Sequence, residues 1–414
     1  MRRFTGLLSV TFVALTGFGL VQAAEVLSLA PQTTGLELEE GADEIIHVRV
    51  AELRLDGVEI DGTEWAIVRI PNAQNFMDRG LPSLPYLTSR YLLDRTGGVS
   101  LELVNRKVRS IDLSQYGFVG VVPSKGHFDR GIDPASVPWV FEDKVYVSGD
   151  LYPASDFRLG DPFIAGPVRG QSVQIPVAFW RADTNTLTVV EEAWFRVVPV
   201  LEAANPRLGP DRPRTALFES VILQDSLNAE SLTGRGNPFV ESGRLLIITD
   251  DDFIDEIEPL AEWQRLVGYP TVVLPTSVAG TDANAVKATI QSYYDAPEGL
   301  TWIILVGDSA QIPTLTGVHS QHAPCDACFT KLDGTDNRPD AAISRISAQT
   351  GDQVTAQVNK ILAYEQQPNT GSAGTWYAKA IGVAGDDTEY FGVPPTDWER
   401  MDYLKVDLME PAFT

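Results

Sequence analysis

The sequence predicts a multidomain protein in which an N-terminal all-β, sandwich-like domain precedes an α/β domain with a doubly wound, mostly parallel sheet. Two patterns predict this order. Apolar and polar residues alternate through much of the first half, and short apolar segments alternate with helical patterns after Arg244. The 414 residues also exceed what one ordinary domain needs. The predicted parts are a signal peptide (1–24), the β-rich domain (25–202), a linker (203–240) and the α/β domain (241–414).

The β-rich domain is predicted from a repeat of two residues. Ile46, Val48 and Val50 alternate with His47 and Arg49, as in strands with one buried face. Further strands are predicted at 174–179 and 187–198, joined by a polar turn. Because long helical periodicity is absent, an antiparallel sandwich or a barrel-like domain is expected.

The α/β domain is predicted from strands that alternate with capped helices. The predicted strands are 245–249, 271–274, 302–306, 341–346 and 378–384, and the predicted helices include 253–266, one capped by Thr281 and Asp282, one around 354–362, and 398–409. Such alternation is typical of a parallel sheet covered by helices on both faces.

The segment 203–240 is rich in proline, glycine and arginine, which indicates a linker. Arg212, Arg214 and Arg235 are predicted to be exposed there, where a trypsin-like enzyme would cut.

The N-terminus predicts export. Arg2 and Arg3 precede an apolar stretch, and Val21-Gln22-Ala23 resembles a signal-peptidase site. No later segment is long and apolar enough to span a membrane, so a secreted or cell-surface protein is expected. The net charge of −24 would repel phosphate backbones, which argues against nucleic-acid partners.

Carboxylates follow three of the predicted strands, at Asp250–Asp252, at Asp308 and at Asp386 and Asp387. Helix capping is one interpretation. The other is a shared cleft, because the carboxyl ends of parallel strands meet at one sheet edge. Asp308, Asp386 and Asp387 are also candidate calcium ligands, although the EF-hand pattern is absent. No cofactor is required by either interpretation.

Two histidines and the two cysteines of the chain recur at every third position in GVHSQHAPCDACF. His319, His322, Cys325 and Cys328 have the types and spacing of half a zinc site. A disulfide between Cys325 and Cys328 suits an exported protein, and free thiols are the third alternative.

Other catalytic arrangements lack their motifs. Cys328 does not follow a buried strand, and His322 is too near in sequence to act from a separate strand end. No Gly-x-Ser-x-Gly elbow is present. Acids stand after residues 245–249 where a dinucleotide fold would need glycines.

Several longer segments resemble the gingipain-type cysteine peptidases. In the α/β half these are RLLIITDDDF, WIILVGDSAQIP, DGTDNRPDAAISRI and VNKILAYE, and in the β half LPYLTSRYLL and the stretch 159–189 resemble that family's propeptide. The resemblance implies a secreted zymogen with an intramolecular propeptide, a caspase-like catalytic domain, and protein or peptide substrates.

The resemblance also implies where the chemistry should lie. In the family, the catalytic His and the catalytic Cys each follow a later strand. Neither of those two sequence segments occurs here, so no catalytic residue is assigned. The catalytic domain is therefore expected to be truncated. Asp397 matches in position an acidic residue of the substrate pocket in arginine-specific members, with a helix N-cap as its other interpretation. Lys125, Arg130 and Lys144 are candidates for the basic residue with which the propeptide blocks the cleft.

Three functional hypotheses follow. The first is a secreted gingipain-like cysteine endopeptidase precursor that is inactive as given. The second is a non-catalytic exported binding or surface-assembly protein on the same scaffold. The third is a zinc-binding module at residues 319–328.

Overall fold

The computed structural model describes residues 25–39, 41, 43–128, 132–209, 212, 214–223, 225–229, 243–318, 322–368, 371, 374–379, 381–385 and 397–409. The predicted signal peptide lies outside the described residues.

The first half of the chain consists mainly of strands. They are β1 (Glu25–Ser28), β2 (Gly35–Glu39), β3 (Ile45–Arg49), β4 (Glu52–Ile60), β5 (Thr63–Arg69), β6 (Gln74–Asn75), β7 (Pro85–Leu92), β8 (Gly98–Asp112), β9 (Arg158–Leu159), β10 (Phe163–Ala165), β11 (Val168–Pro176), β12 (Ala178–Arg181) and β13 (Thr186–Val200). A short α-helix, α1 (Asp143–Tyr146), and two 3-10 helical turns, Leu113–Tyr116 and Pro134–Ser136, interrupt them.

These strands form three antiparallel sheets. Their orders are β1-β4-β5, β10-β11-β7-β6 with β9 also paired to β11, and β12-β13-β3-β2 with β8 also paired to β13. Apolar residues from all three sheets, among them Leu55, Leu87 and Phe195, share one core. The predicted all-β domain is confirmed, and the shared core explains its stability because each sheet has one apolar face to bury.

The second half alternates strands and helices. A short helix α2 (Ala216–Phe218) comes first. The remaining elements are β14 (Leu245–Thr249), α3 (Ile254–Leu266), β15 (Thr271–Pro275), α4 (Thr276–Ala279), α5 (Ala283–Asp295), β16 (Trp302–Val306), β17 (Leu315–Thr316), β18 (Pro324–Cys325), β19 (Ala342–Ile346), α6 (Gly351–Gln366) and α7 (Asp397–Tyr403).

The main sheet of this half has the order β15-β14-β16-β19, and all its pairings are parallel. Strand β14 is buried along its whole length. Leu245 and Ile247 pack with residues of α3 and α6, whereas Leu246 and Ile248 pack with α4 and α5. Helices therefore cover both faces, which confirms the predicted doubly wound α/β domain.

Two predicted elements differ in the structure. The predicted strand 378–384 is wrong for the described residues, because 381–385 form no strand and Ile381 and Val383 are 91% and 84% exposed. An apolar alternation predicts a strand only where another element covers one face, and none of the described elements covers these two side chains. The predicted helix 398–409 is present as α7 followed by a π-helical stretch, Leu404–Met409.

Candidate functional site

The carboxyl ends of the neighbouring strands β14 and β16 place Asp250 and Asp308 at one edge of the parallel sheet. Asp250 uses its Oδ1 to accept the backbone N–H of Asp252 at 2.9 Å, and so caps the helical turn that leads into α3. At this position the capping interpretation holds. Helix caps of this kind contribute about 1 kcal/mol.

Asp251 joins the end of β14 to the end of β15. Its Oδ2 accepts hydrogen bonds from the Thr276 hydroxyl at 2.8 Å and from the Ser277 N–H at 2.9 Å. Hydrogen bonds from Ser277, and then from Thr276, lower the pKa of this carboxyl. Asp251 is therefore ionised at neutral pH and serves as an acceptor rather than a general acid.

Asp308 joins the end of β16 to the segment after β19. Its Oδ1 accepts the Ser309 N–H at 2.8 Å, and its Oδ2 accepts the Gln349 side-chain amide at 3.0 Å. The hydrogen bond from Gln349 is the main cause that lowers the pKa of Asp308. Asp308 is partly exposed at this edge, and its charge would favour a cationic group there.

Arg345 in β19 fixes the segment 322–330 against the same edge. Its guanidinium binds both carboxylate oxygens of Asp326, each at 2.7 Å, and donates to the carbonyls of Gly307 and Ile312, each at 3.0 Å. Sequence analysis did not single out this residue. The available signal was a lone arginine inside the partly buried strand AISRI, where a cation needs partners.

The loop held by Arg345 contains both cysteines. Cys325 and Cys328 form a disulfide, so neither sulfur is a thiol in this structure. His322 is exposed, and His319 lies outside the described residues. Within the described ranges, no group of three or more His, Cys, Asp or Glu side chains is placed to hold a metal ion.

Of the three calcium candidates, Asp308 is the one that lies among the described residues. Asp308 uses both oxygens as acceptors for protein donors. Asp386 and Asp387 fall outside the residues that the structure describes. A calcium site at this edge stays a prediction.

Asp397 opens α7 and is exposed, with its carboxylate 3.9 Å from the Arg400 guanidinium one helical turn later. Arg400 lines a cavity of about 630 Å³ whose other walls, including Arg69, Tyr86, His127 and Arg158, belong to the β-rich domain. Burial and the nearby Arg69 lower the pKa of Arg400. Asp397 therefore stands close to the β-rich domain, and its role in binding substrate stays a prediction.

The three basic candidates for blocking a cleft differ in their surroundings. Lys125 is 4% exposed, donates to the Pro134 carbonyl at 2.6 Å and lies over the Trp139 ring. It is thus held inside its own domain, and burial lowers its pKa. Lys144 is exposed on α1, and Arg130 lies outside the described residues.

The two domains meet at the segment 333–340, which is read as DGTDNRPD in the sequence. Asp336 Oδ2 accepts the Ile164 N–H at 2.8 Å, and Asp340 Oδ1 accepts the Gly166 N–H at 3.0 Å. Both donors belong to the β10–β11 hairpin of the β-rich domain. Asp340 lies two residues before the start of β19, so this contact lies at the amino ends of the strands, opposite Asp308.

The predicted linker contributes to the same contact. Asn205 donates to Asp336 Oδ2 at 2.6 Å and accepts the Thr335 N–H at 2.8 Å. Arg207 is 4% exposed, donates to the carbonyls of Gly166 and Pro167, and lies 3.6 Å from Asp333. These bonds join the hairpin, the connecting segment and the second domain into one polar cluster.

The expectation that Arg212 is exposed is wrong. Arg212 is 6% exposed, its guanidinium lies 4.2 Å from the centre of the Tyr294 ring, and it pairs with Asp295 at 3.2 Å. Proline-rich sequence predicts that an arginine is exposed. Here an aromatic face and a carboxylate cover the guanidinium instead. Arg214 is partly buried, and Arg235 lies outside the described residues.

No helix in the part of the chain that the structure describes is long and apolar enough to cross a membrane.

Comparison with protein families assigns each half separately. Residues 24–230 match the family described as Propeptide_C25, and residues 240–409 match Peptidase family C25. Together the two matches cover both domains, and residues 231–239 of the connecting segment lie between them.

Comparison with curated proteins finds relatives in Porphyromonas gingivalis. Gingipain R2 is 26% identical over 381 residues, which cover 89% of this chain and 49% of the relative. Lys-gingipain is 25% identical over 397 residues, which cover 92% of this chain and 22% of the relative. The chain thus spans about half, or less, of the length of the curated relatives it matches.

Among solved structures, the complex of Porphyromonas gingivalis RgpB pro- and mature domains aligns with a TM-score of 0.41 and 23% identity, and covers 48% of this chain and 100% of that one. A structure of zymogenic gingipain K from the same organism aligns with a TM-score of 0.39 and 19% identity, over 44% of this chain and 100% of that one.

Proposed function

Because the chain belongs to peptidase family C25, with the family's propeptide in its first half and peptidase sequence in its second, we propose that it is part of an exported cysteine endopeptidase precursor. In this proposal residues 1–24 direct export, residues 25–202 are the inhibitory propeptide domain, residues 203–240 connect it, and residues 241–414 belong to the catalytic domain. Its substrates are proteins or peptides.

The observation that carries the proposal is the docked pair of domains. The β10–β11 hairpin donates N–H groups of Ile164 and Gly166 to Asp336 and Asp340 of the second domain. A propeptide must bind its catalytic domain specifically, and buried bonds between backbone N–H groups and carboxylates provide both affinity and register.

We propose that this chain alone does not cleave peptide bonds. A cysteine peptidase needs a thiolate that attacks the carbonyl and a histidine that moves the proton. Both cysteines of the 414 residues are joined in a disulfide. The proposal therefore assigns neither Cys325 nor Cys328 as the nucleophile, in agreement with the resemblance, and it assigns Asp397 and Asp308 to the substrate side of the cleft.

The test compares this chain with the product of the same gene read past codon 414. Both are incubated with mixed peptide substrates, with and without a reducing agent and a thiol-alkylating reagent. The longer product should show turnover that needs a free thiol, and the 414-residue chain should show none. Thiol-dependent turnover by the 414-residue chain that disappears in Cys328→Ala would overturn the proposal.

The same experiment decides on the second candidate, a non-catalytic exported binding or surface-assembly protein. The disulfide favours that candidate, because it leaves the chain without a thiol. A longer product that folds but shows no thiol-dependent turnover, or a gene that stops at codon 414, would support it.

A further inference from the structure

The disulfide at the carboxyl edge of the parallel sheet closes a very short loop. Cys325 and Cys328 are three positions apart, so the bond encloses Asp326 and Ala327 alone. The stabilisation that a disulfide gives by restricting the unfolded chain grows with the length of the loop that it closes. This bond therefore adds less global stability than one between distant segments would, and its main effect is to fix the conformation of the turn.

Both cysteines lie at the surface of the second domain. Cys325 and Cys328 are each partly exposed, and Ala327 between them is exposed. Exposed disulfides are the ones that are reduced readily and that serve regulatory or catalytic roles, whereas structural disulfides of secreted proteins resist reduction by glutathione. The exposure and the short loop together favour a bond that small thiols can open while the chain stays folded.

The two ends of the turn are held with different strength. On its carboxyl side Phe329 is fully buried, and Lys287 Nζ donates to the carbonyls of Cys328 at 3.3 Å and Phe329 at 3.0 Å. On its amino side Cys325 belongs to β18, a strand of two residues paired with the equally short β17. The disulfide therefore ties the weakly held Cys325 to the firmly held Cys328.

Asp326, inside the disulfide loop, connects the turn to the sheet edge. Arg345 binds both of its carboxylate oxygens at 2.7 Å. The same guanidinium donates to the carbonyls of Gly307 and Ile312, and Asp308 lies between these two residues in sequence. The planar fork of Arg345 needs a fixed carboxylate for its two-point bond. The position of Asp326 thus affects the segment that carries Asp308.

We propose that the Cys325–Cys328 disulfide is a redox-sensitive site that small-molecule thiols reduce in the folded chain, and that its reduction loosens the sheet edge around Asp308. A first small thiolate bonds to one protein sulfur, the Sγ–Sγ bond breaks, and the other sulfur leaves as a thiolate and takes up a proton. A second small thiolate then attacks the first in the mixed disulfide. The products are two cysteine thiols and one small-molecule disulfide, so two electrons and two protons pass to the protein.

Reduction opens the loop around Asp326. Lys287 still holds Cys328, whereas Cys325 is released, so the backbone at Asp326 gains freedom and its bond to Arg345 weakens. The biological meaning of this step rests on the proposed function, because a cysteine peptidase needs its own thiol reduced. The thiols that maintain the nucleophile would then also change the order of the cleft edge.

The first measurement counts thiols in the folded chain. The full chain is incubated with reduced glutathione without denaturant, desalted and labelled with a maleimide, and the labels are counted by mass spectrometry. Two labels per chain are expected, and both report this bond because the sequence contains two cysteines. Circular dichroism shows that the chain stays folded. Labels that appear only after denaturation would overturn the proposal.

The second measurement is hydrogen exchange before and after reduction. Exchange in 322–326 and in 308–316 should become faster by roughly tenfold, the factor that corresponds to one weakened hydrogen bond to a charged group, and exchange in β14 should not change. The double variant Cys325→Ser, Cys328→Ser should match the reduced chain and should not respond to glutathione.

Asp326→Asn is the matched variant, because it keeps the disulfide and weakens the bond to Arg345. Glutathione should still produce two thiols in this variant but should change exchange in 308–316 little further. Unchanged exchange in 308–316 on reduction of the unaltered chain, or an equal change in Asp326→Asn, would overturn the proposal. Neither measurement uses peptide cleavage, so its outcome is separate from that of the peptidase test.

Discussion

The carboxylate of Asp340 accepts the backbone N–H of Gly166 at 3.0 Å, across the boundary between the two domains. Its second oxygen accepts two N–H groups of its own domain, from Leu332 and Asp333. The residue is fully buried. Burial outweighs the three hydrogen bonds and raises the pKa of Asp340 from 3.8 to about 6. The main polar contact of the boundary therefore involves a group that titrates in a weakly acidic range.

The first prediction is that the contribution of Asp340 to stability falls as the pH rises from about 4 to about 6. In this window the unfolded chain has lost the Asp340 proton and the folded chain still binds it, so the part of the free energy of unfolding that depends on Asp340 decreases with pH. The difference between the two pKa values corresponds to about 3 kcal/mol at most. Urea unfolding of the unaltered chain and of Asp340→Asn, at several pH values, measures it. The unaltered chain should be more stable than Asp340→Asn at the acid end of this window, and the difference in free energy of unfolding should shrink as the pH rises.

Asp308→Asn is the control for this prediction. The pKa of Asp308 is lowered, so the stability that its ionised form contributes is lost only below its ordinary pKa of 3.8. Its replacement should leave the slope between pH 4 and 6 unchanged. If Asp340→Asn shows the same slope as the unaltered chain, Asp340 is not the titrating group.

A second prediction concerns Asn205, which holds the connecting segment against both domains. Its side chain bonds to Pro162, Thr335 and Asp336. Asn205→Ala removes these bonds. Water can then compete for the Ile164 N–H and for Asp336, so the free energy of unfolding should fall by about 1–3 kcal/mol. Hydrogen exchange of peptides that contain Ile164 and Gly166 should become faster, whereas exchange in β14 should not change.

Asn337→Ala provides the comparison for Asn205. Asn337 is exposed on the same loop and accepts a hydrogen bond from the nearby Lys331 side chain. Its replacement should leave exchange at Ile164 and Gly166 as it is. Equal protection in the Asn205 and Asn337 variants would show that Asn205 does not hold the domains together.

The sequence predicted the architecture because the deciding signals are local. LLIIT and WIILV are short, continuous apolar runs with acids at their carboxyl ends, as expected for buried parallel strands. The acids at 250–252 and 308 were likewise placed at one sheet edge by the rule that parallel strands end together. The failed strand at 378–384 had a comparable apolar pattern, but no element in the described part of the chain covers Ile381 and Val383.

The domain boundary was not predictable from such signals. Asp340 and Gly166 are 174 residues apart in sequence, and DGTDNRPD alone reads as a polar loop. Arg207 and Arg212 stand in proline-rich sequence, which usually indicates exposure. Their burial depends on the Tyr294 ring and on carbonyls and carboxylates supplied by both domains. Only the folded chain shows that these partners coincide.

A third prediction concerns Arg345, whose guanidinium holds the disulfide loop to the sheet edge through Asp326 and the carbonyls of Gly307 and Ile312. Arg345→Lys keeps the charge but loses the planar fork that binds both oxygens of Asp326. The free energy of unfolding should fall by about 1–3 kcal/mol, as measured by urea unfolding. Hydrogen exchange in 308–316 should become faster.

Arg265→Lys is the matched change for Arg345. Arg265 pairs with Glu258 on the exposed side of α3, and solvent-exposed pairs contribute about 0–1 kcal/mol. It should therefore lower stability much less than Arg345→Lys. If both lysine variants are equally stable, Arg345 does not anchor the loop.

The last prediction concerns Gly166, where the backbone conformation and the packing at the boundary act together. Gly166 has φ of +54°, and a Cβ atom there would lie 2.5 Å from the Phe218 ring. Gly166→Ala therefore combines a left-handed backbone with a collision against an aromatic side chain of the connecting segment.

Gly62→Ala separates the two effects, because Gly62 has φ of +77° and nothing within 4 Å of the added atom. The Gly62 variant should lose about 1 kcal/mol from the backbone alone, and the Gly166 variant should lose at least about 1–3 kcal/mol more. Urea unfolding measures both, and equal losses would mean that Phe218 moves aside and that the boundary is loosely packed at this point.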